Sequence, residues 1–173
     1  MDLRNITEFI KDASKYIMVI IFVLLFFIFV MGLQQVIGPS MNPTLNEGDI
    51  IITNKFIYRF KSIERNDVVV ISQDEKYMIK RIVGLPGETV EYQNNDVLIN
   101  GKAYKETFTN SETEDFTIQD LGYDVIPEDM YLVLGDNREN SLDSRTFGLI
   151  SKNQIIGKAW IKIWPISKMK IIK

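Results

Sequence analysis

The most constraining feature of this sequence is an apolar run near its N-terminus. Residues 17–33 read IMVIIFVLLFFIFVMGL, and 14 of these 17 residues are Leu, Ile, Val or Phe. As an α-helix, residues 17–37 would span about 31 Å, which matches the hydrocarbon core of a bilayer at about 30 Å. A buried core helix is rarely so uniformly apolar, and a cleaved signal peptide has a shorter apolar region before a small-x-small site. We therefore predict an uncleaved transmembrane anchor helix over residues 16–37.

Basic residues around the anchor predict its orientation. Three of them precede the apolar run: Arg4, Lys11 and Lys15. The next one along the chain is Lys55. Because positively charged flanks stay in the cytoplasm, residues 1–15 are predicted to be the cytoplasmic N-terminus. Residues 38–173 then form an extracytoplasmic domain of a single-pass membrane protein, with membrane lipid as one partner.

Beyond the anchor the sequence changes from helical to β patterning. Short runs of β-branched and aromatic residues alternate with turn residues such as Asn100-Gly101, a two-residue hairpin signal. The predicted strands lie at 50–52, 68–71, 77–83, 89–92, 97–99, 131–134 and 155–163. No amphipathic helices alternate with these runs, which argues against a parallel α/β sheet. We predict a mainly β fold, an antiparallel β-sheet or barrel-like domain, with a small insertion around 95–126 whose polar part, 103–126, resembles a loop.

Composition removes several classes of chemistry. The chain contains no Cys and no His. Their lack excludes disulfides, thiol catalysis, a Ser-His-Asp triad and the commonest metal ligands. A carboxylate-held Mg²⁺ or Ca²⁺ site stays open, but no EF-hand or phosphate-binding loop pattern occurs, so we expect no metal and no cofactor. The net charge of −3 gives no support to nucleic-acid binding.

Ser40 follows the anchor closely, and as a nucleophile it would need a base other than histidine. A lysine can serve if burial or a nearby cation keeps its amine neutral, because its reference pKa is about 10.4. In the predicted strand around Lys80, Met78 and Ile82 share its face, so its amine would lie among apolar side chains. Plainer explanations exist, since Lys80 can snorkel from a strand edge and Ser40 can cap a turn. The residues alone leave both interpretations open.

Four short segments, in this order after one anchor, resemble the sequence boxes of bacterial type I signal peptidases. The segments are 38–45 (GPSMNPTL), 48–51 (GDII), 77–88 (YMIKRIVGLPGE) and 135–148 (GDNRENSLDSRTFG). Each box alone is a modest signal, but four in order are highly specific. The resemblance covers the anchor and nearly all of residues 38–160. The single anchor and the glycine two residues before the serine are typical of the Gram-positive branch.

The resemblance implies a serine endopeptidase anchored in the bacterial cell membrane that cleaves signal peptides from exported preproteins after small-x-small sites. By motif, Ser40 would be the nucleophile and Lys80 the general base. Ser141 would orient the Lys80 amine, while Asp143 and Arg145 would form an ion pair that shapes the site from behind. The expected partners are signal-peptide-bearing preproteins and the protein export machinery.

The surroundings of the serine are expected to bind substrate and oxyanion. Some relatives have a Ser or Thr hydroxyl at the position of Gly38. The oxyanion here would rely on the Ser40 backbone N–H, helped by the Gly38 backbone or water. Substrate would lie extended beside a strand edge, with Met41, Met78 and Ile79 as the expected substrate-binding residues.

Some alternatives stay open at this point. Four residues alternate along the last predicted strand: Lys158, Trp160, Lys162 and Trp164. Contact with the membrane interface or ordinary strand packing would each explain them. Two other functions are a Ser/Lys self-cleaving regulator, which the anchor and the lack of a DNA-binding domain disfavour, and a non-catalytic anchored β module. In such a module Ser40 and Lys80 would be dispensable.

Overall fold

The computed structural model describes residues 3–109 and 111–172. The predicted N-terminus, insertion and exported domain also include residues 1, 2, 110 and 173, which lie outside the described residues. The helices are α1 (Leu3–Val30) and the short α2 (Ser144–Phe147). The strands are β1 (Met31–Gln35), β2 (Ile50–Asn54), β3 (Val68–Gln73), β4 (Lys76–Gly84), β5 (Val90–Gln93), β6 (Asp96–Ile99), β7 (Lys102–Tyr104), β8 (Phe116–Thr117), β9 (Met130–Leu134), β10 (Ile150–Ser151), β11 (Ile155–Trp164) and β12 (Lys170–Ile171).

Helix α1 contains residues 17–30 of the apolar run. Among the described residues it is the one helix long and apolar enough to cross a membrane, over Ile10–Val30. None of this segment is buried within the protein. From residue 16 onward this segment is apolar on all sides, which requires either a protein core or lipid around it. Its 21 residues would span about 31 Å, enough for a bilayer core.

The helix ends at Val30, so the prediction that it continues to residue 37 is wrong. Strand β1 follows at once and pairs antiparallel with β2. The Lys55 N–H donates to the Val30 carbonyl at 2.9 Å, which ties the end of α1 to the chain after β2. Pairing with β2 satisfies backbone groups of 31–35 in the sheet, so the uncharged sequence here belongs to the folded domain.

Two antiparallel sheets form the domain. The large sheet has the order β1-β2-β11-β3-β4-β9-β10, with β12 paired to β11, and the small sheet has the order β7-β6-β5-β8. The predicted mainly β, antiparallel fold is confirmed, and each of the seven predicted strands is found within a few residues of its expected bounds. The short strands β1, β7, β8, β10 and β12 were not predicted.

The register of β4 creates an open edge next to the site. This strand pairs with β3 over Lys76–Arg81, but it pairs with β9 only from Arg81 to Gly84. Its N-terminal half therefore has no strand partner on the β9 side among residues 3–109 and 111–172. Strand β1 lies at the end of the large sheet, so it too has an unpaired edge in the described chain.

Segment 103–126 is more ordered than the predicted loop. It supplies most of β7 and all of β8 to the small sheet. It also buries Phe116, Ile118 and Ile126 in the apolar cluster beneath that sheet. Strands of two or three residues are too short to show an alternating pattern, which is why the sequence indicated only a polar insertion.

The four alternating Lys and Trp residues of β11 do not share one face. The register of β11 against β2 shifts between Ala159 and Ile161 and again after Lys162. Such bulges change the side of the sheet to which the following residues point. Trp160 is exposed, whereas Lys162 is buried and pairs with Asp49 at 2.8 Å.

A close approach within the sheet gives a stability prediction. A Cβ atom on Gly157 would collide with the backbone of Asn54 and Lys55. Because backbone cannot move aside as a side chain can, Gly157→Ala should lower the free energy of unfolding by about 1–3 kcal/mol. Chemical denaturation of the detergent-solubilised protein would measure it, with the exposed Lys168→Ala as control. Equal stability of both variants would contradict the predicted collision.

Candidate active site

The loop that contains Ser40 is fixed from two sides. Met41 and Leu45 are buried beneath it in an apolar cluster. On the other side, the Asn137 N–H donates to the Ser40 carbonyl at 3.0 Å, and the Asn137 side-chain amide donates to the Pro39 carbonyl at 3.3 Å. The backbone of Ser40 is thereby held, while its half-buried side chain lines a cavity of about 240 Å³.

Gly38 precedes Ser40 in a conformation that favours glycine. Its φ is +77°, in the left-handed region, and a Cβ atom built there would meet nothing within 4 Å. The constraint therefore comes from the backbone and not from lack of space. A Ser or Thr at this position would be strained in this conformation.

Lys80 lines the same cavity from strand β4. Its side chain is only 2% exposed, and its Nζ donates to Ser141 Oγ at 3.2 Å. Burial lowers the pKa of Lys80 to about 8; the Asp143 carboxylate opposes this and the Arg145 guanidinium adds to it. A large fraction of its amine is therefore neutral near pH 8. Among the hydrogen bonds of residues 3–109 and 111–172, none joins Ser40 Oγ to Lys80 Nζ.

The Asp143 carboxylate is occupied by Arg145. Arg145 Nε and Nη2 donate to Asp143 Oδ1 and Oδ2, both at 2.9 Å, and Arg145 Nη2 also donates to the Arg138 carbonyl at 2.6 Å. Asp143 also caps α2 through the Arg145 N–H and accepts the Gly135 N–H at 3.1 Å. This bidentate pair of the buried Asp143 and the half-buried Arg145 fixes the chain on both sides of Ser141 and Leu142.

Gly135 allows these segments to meet. A Cβ atom on Gly135 would collide with the Ser141 side chain and with the Ser40 carbonyl. Glycine is therefore needed here because the neighbouring segments approach closely, and not because of its backbone conformation. The three segments that contain Ser40, Gly135 and Ser141 consequently lie against one another.

A second buried ion pair, which sequence reasoning missed, lies beside the first. Arg81 Nε and Nη2 donate to the two Asp136 carboxylate oxygens, each at 2.7 Å. Thr44 Oγ1 also donates to Asp136 Oδ2. The pair therefore links the strand residue after Lys80 to the Ser40 loop. Arg81 lies in segment 77–88 and Asp136 in segment 135–148 of the family resemblance. No sequence pattern, however, pairs residues that are 55 positions apart.

Apolar side chains form much of the remaining cavity wall. Met41, Met78 and Ile79, the expected substrate-binding residues, all line the cavity, and so does Leu142, which was not predicted. Residues 35–37, at the end of β1, also contribute. The cavity thus lies between the unpaired half of β4 and the chain that leaves β1.

No group of three or more Asp or Glu residues that could hold a metal ion occurs in the described chain. The site instead combines a loop serine, a buried lysine of lowered pKa and an open strand edge. Such a site on an antiparallel β domain fits a serine peptidase that works without histidine.

Comparison with known proteins agrees with this class. Residues 6–164 match the family model described as signal peptidase, peptidase S26, and the chain belongs to this family. It is 38% identical to signal peptidase IB of Staphylococcus aureus over 92% of this chain and 94% of the relative. It is 42% identical to signal peptidase I V of Bacillus subtilis over 71% of this chain and 80% of the relative. The resemblance to bacterial type I signal peptidases is confirmed.

A solved structure supports the same fold. The crystal structure of a signal peptidase I from Enterococcus faecalis is similar with a TM-score of 0.52 and 35% sequence identity. The similarity covers 57% of this chain and 97% of that one.

Two buried lysines give opposite stability predictions. The pKa of Lys80 is lowered from 10.5 to about 8, so holding its charge in the folded state costs about 3 kcal/mol at neutral pH. Lys80→Met should therefore raise the free energy of unfolding at pH 7 by up to about 3 kcal/mol. The unfolded state binds more protons between pH 8 and 10.5, so wild-type stability rises across this window and the advantage of the variant fades.

Lys162→Met is the matched control. It leaves the buried Asp49 carboxylate without its partner, and should lower the free energy of unfolding by about 3–5 kcal/mol. Denaturant unfolding of both variants at pH 7 and pH 10, followed by tryptophan fluorescence, would measure these effects. A destabilised Lys80→Met variant at pH 7 would show that the Lys80 charge is well compensated.

Proposed function

We propose that this protein is a membrane-anchored signal peptidase I that cleaves signal peptides from exported preproteins after small-x-small sites. Ser40 is the nucleophile and Lys80 the general base. The observation that supports this most directly is that the buried Lys80 amine, with its lowered pKa, lines the same cavity as Ser40. Family membership supports the reaction class.

In the proposed mechanism the neutral Lys80 amine takes the proton of Ser40 Oγ as the oxygen attacks the scissile carbonyl carbon. The tetrahedral intermediate collapses when the Lys80 ammonium gives its proton to the leaving amine, and an acyl-Ser40 ester remains. Lys80 then activates a water molecule, which hydrolyses the ester and regenerates the hydroxyl. Ser141 Oγ accepts from Lys80 Nζ and keeps the amine aimed into the cavity.

The developing negative charge on the substrate oxygen needs donors. The proposed donor is the Ser40 backbone N–H, with the Gly38 backbone or water as a helper. The left-handed φ of Gly38 supports this assignment, because a Ser or Thr that offered a side-chain hydroxyl here would be strained, whereas a glycine is not.

Substrate is proposed to bind as an extended strand. The open edge of β4 over residues 76–80 and the chain after β1 offer backbone partners on both sides of the cavity. Met41, Met78, Ile79 and Leu142 leave only about 240 Å³, which suits small side chains before the cut. This is a physical basis for A-x-A-like specificity.

The proposed location follows from helix α1. Arg4, Lys11 and Lys15 all precede the uncharged part of α1, residues 16–30. With this part in the bilayer, the basic residues before it support a cytoplasmic N-terminus and a β domain outside. Membrane lipid and the protein export machinery are the proposed partners besides the preprotein.

Cleavage of a preprotein with an A-x-A site by the detergent-solubilised protein tests the mechanism. Ser40→Ala and Lys80→Met should each lower kcat/KM by about 10⁴-fold or more, because each removes a member of one catalytic unit. Ser167→Ala, at an exposed serine, is the matched control and should leave cleavage unchanged. Cleavage that survives either active-site change would exclude the mechanism, and no cleavage by the wild type would favour a binding module.

The pH dependence of kcat/KM tests the role of Lys80 separately. Because the base must be neutral, activity should rise with pH through about 8. The Arg145 charge lowers the pKa of Lys80 and the Asp143 charge raises it. Arg145→Gln should therefore move the acid limb of the profile to higher pH, and Asp143→Asn should move it to lower pH.

The exposed cation Lys152 provides the control for this pair, since Lys152→Gln should leave the limb in place. An acid limb near pH 10 in the wild type, or shifts of the same sign in both variants, would refute the assignment of the base.

A further inference from the structure

A second cavity, of about 750 Å³, lies where helix α1 meets the large sheet. We call it the junction groove. Its wall includes Phe27, Ile28, Met31, Leu33, Ile52 and Tyr77. The proposed mechanism uses none of its volume.

The junction groove adjoins the active-site cavity. Tyr77 lines both of them. Gln34 lines the groove, and its neighbour Gln35 lines the active-site cavity. Strand β1 thus connects the end of α1 to the chain before Ser40. A strand of five residues covers about 17 Å, so an extended peptide needs about five residues to pass from one cavity to the other.

The groove wall is apolar and open. Leu33 and Tyr77 are each 69% exposed, and Phe27 of α1 is exposed as well. Lys55 is the one charged residue on the wall formed by the described residues. An exposed apolar surface of this kind usually marks a binding site.

We propose that the junction groove binds the apolar segment of the signal peptide upstream of the cleavage site, an inference that rests on the proposed function. A signal peptide has an apolar region of about 7–15 residues before its small-x-small site. When the small residues occupy the active-site cavity, the extended chain along β1 brings the residues about six or seven places before the cut into the groove.

The two walls of the groove suit this occupant. Phe27 and Ile28 belong to the helix proposed to lie in the bilayer, and Met31, Leu33 and Ile52 belong to the sheet. An apolar segment that leaves the lipid can therefore keep contact with apolar side chains as far as the active-site cavity. A lipid acyl chain is the competing occupant.

Two synthetic peptides that share one A-x-A site test the proposal. They carry Leu-Leu or Ser-Ser at the sixth and seventh places before the cut. The wild type should cleave the Leu-Leu peptide with a kcat/KM about tenfold higher, as two buried leucines readily provide. Leu33→Asn should reduce this preference to about twofold or less. Ile166→Asn, at an exposed apolar residue outside the groove, should retain it.

Failures of the two proposals can be told apart in this assay. A wild type that cleaves both peptides equally, or a Leu33→Asn variant that keeps the full preference, overturns the groove and leaves the peptidase function in place. A wild type that cleaves neither peptide overturns the proposed function and the groove with it.

Photo-crosslinking identifies the occupant directly. In a Ser40→Ala protein reconstituted into vesicles, benzoylphenylalanine in place of Leu33 should crosslink to the apolar segment of an added preprotein. The same probe in place of Ile166 should not. Adducts with lipid alone at position 33 would assign the groove to lipid and overturn the proposal.

Discussion

The site depends on one unfavourable arrangement, a lysine amine buried without a carboxylate of its own. The contrast with Lys162 makes this clear, because that equally buried lysine donates to the Asp49 carboxylate at 2.8 Å. Lys80 donates instead to a neutral hydroxyl, Ser141 Oγ. Burial without direct neutralisation lowers the pKa of Lys80.

Within the bidentate Asp143–Arg145 pair, Arg145 opposes the effect of the Asp143 carboxylate, so that burial remains the main influence on the pKa of Lys80. Asp143 is the opposite charge with the largest effect on Lys80, and it raises the pKa. Arg145 donates to both carboxylate oxygens of Asp143, and its positive charge lowers the pKa of Lys80. The pair thus holds the segment that contains Ser141 in a fixed position. Because its two charges are opposite, it adds little net charge next to Lys80. A lone carboxylate at the same place would restore the ammonium form and remove the neutral amine that the proposed mechanism needs.

Much of this architecture could be predicted from the sequence. The main strands follow from runs of β-branched residues, and the face of Lys80 follows from alternation along β4. Long-range pairing could not be predicted, because periodicity describes one element at a time. The Arg81–Asp136 pair, the contact of Asn137 with the Ser40 loop and the collision at Gly135 each join distant segments. They appear only when the sheet register is known.

The wrong end of the helix and the alternatives left open for the last strand have a common cause. Residues 31–37 and the strand 155–164 are apolar or amphipathic, and hydropathy alone cannot tell a membrane from a sheet partner. Strand β2 is the sheet partner in both cases, since it pairs with β1 on one side and with β11 on the other. The helix ends at Val30 because the next residues pair with β2 as β1. Lys162 is buried because the bulges of β11 against β2 change the side of the sheet to which it points.

The early end of the helix changes how the membrane and the site are related. A helix that continued to residue 37 would leave only a short, unpaired connection to Ser40. Instead, β1 follows Val30 directly and is hydrogen-bonded along its length to the sheet that also holds Lys80. The distance from the end of the span to the active-site cavity is therefore set by strand geometry, about 3.3 Å per residue, and not by a flexible linker. In the proposed function, an extended signal peptide beside β1 has the same rise per residue as the strand. The fixed length of β1 therefore sets how many residues separate the apolar segment of a membrane-held signal peptide from its small-residue site.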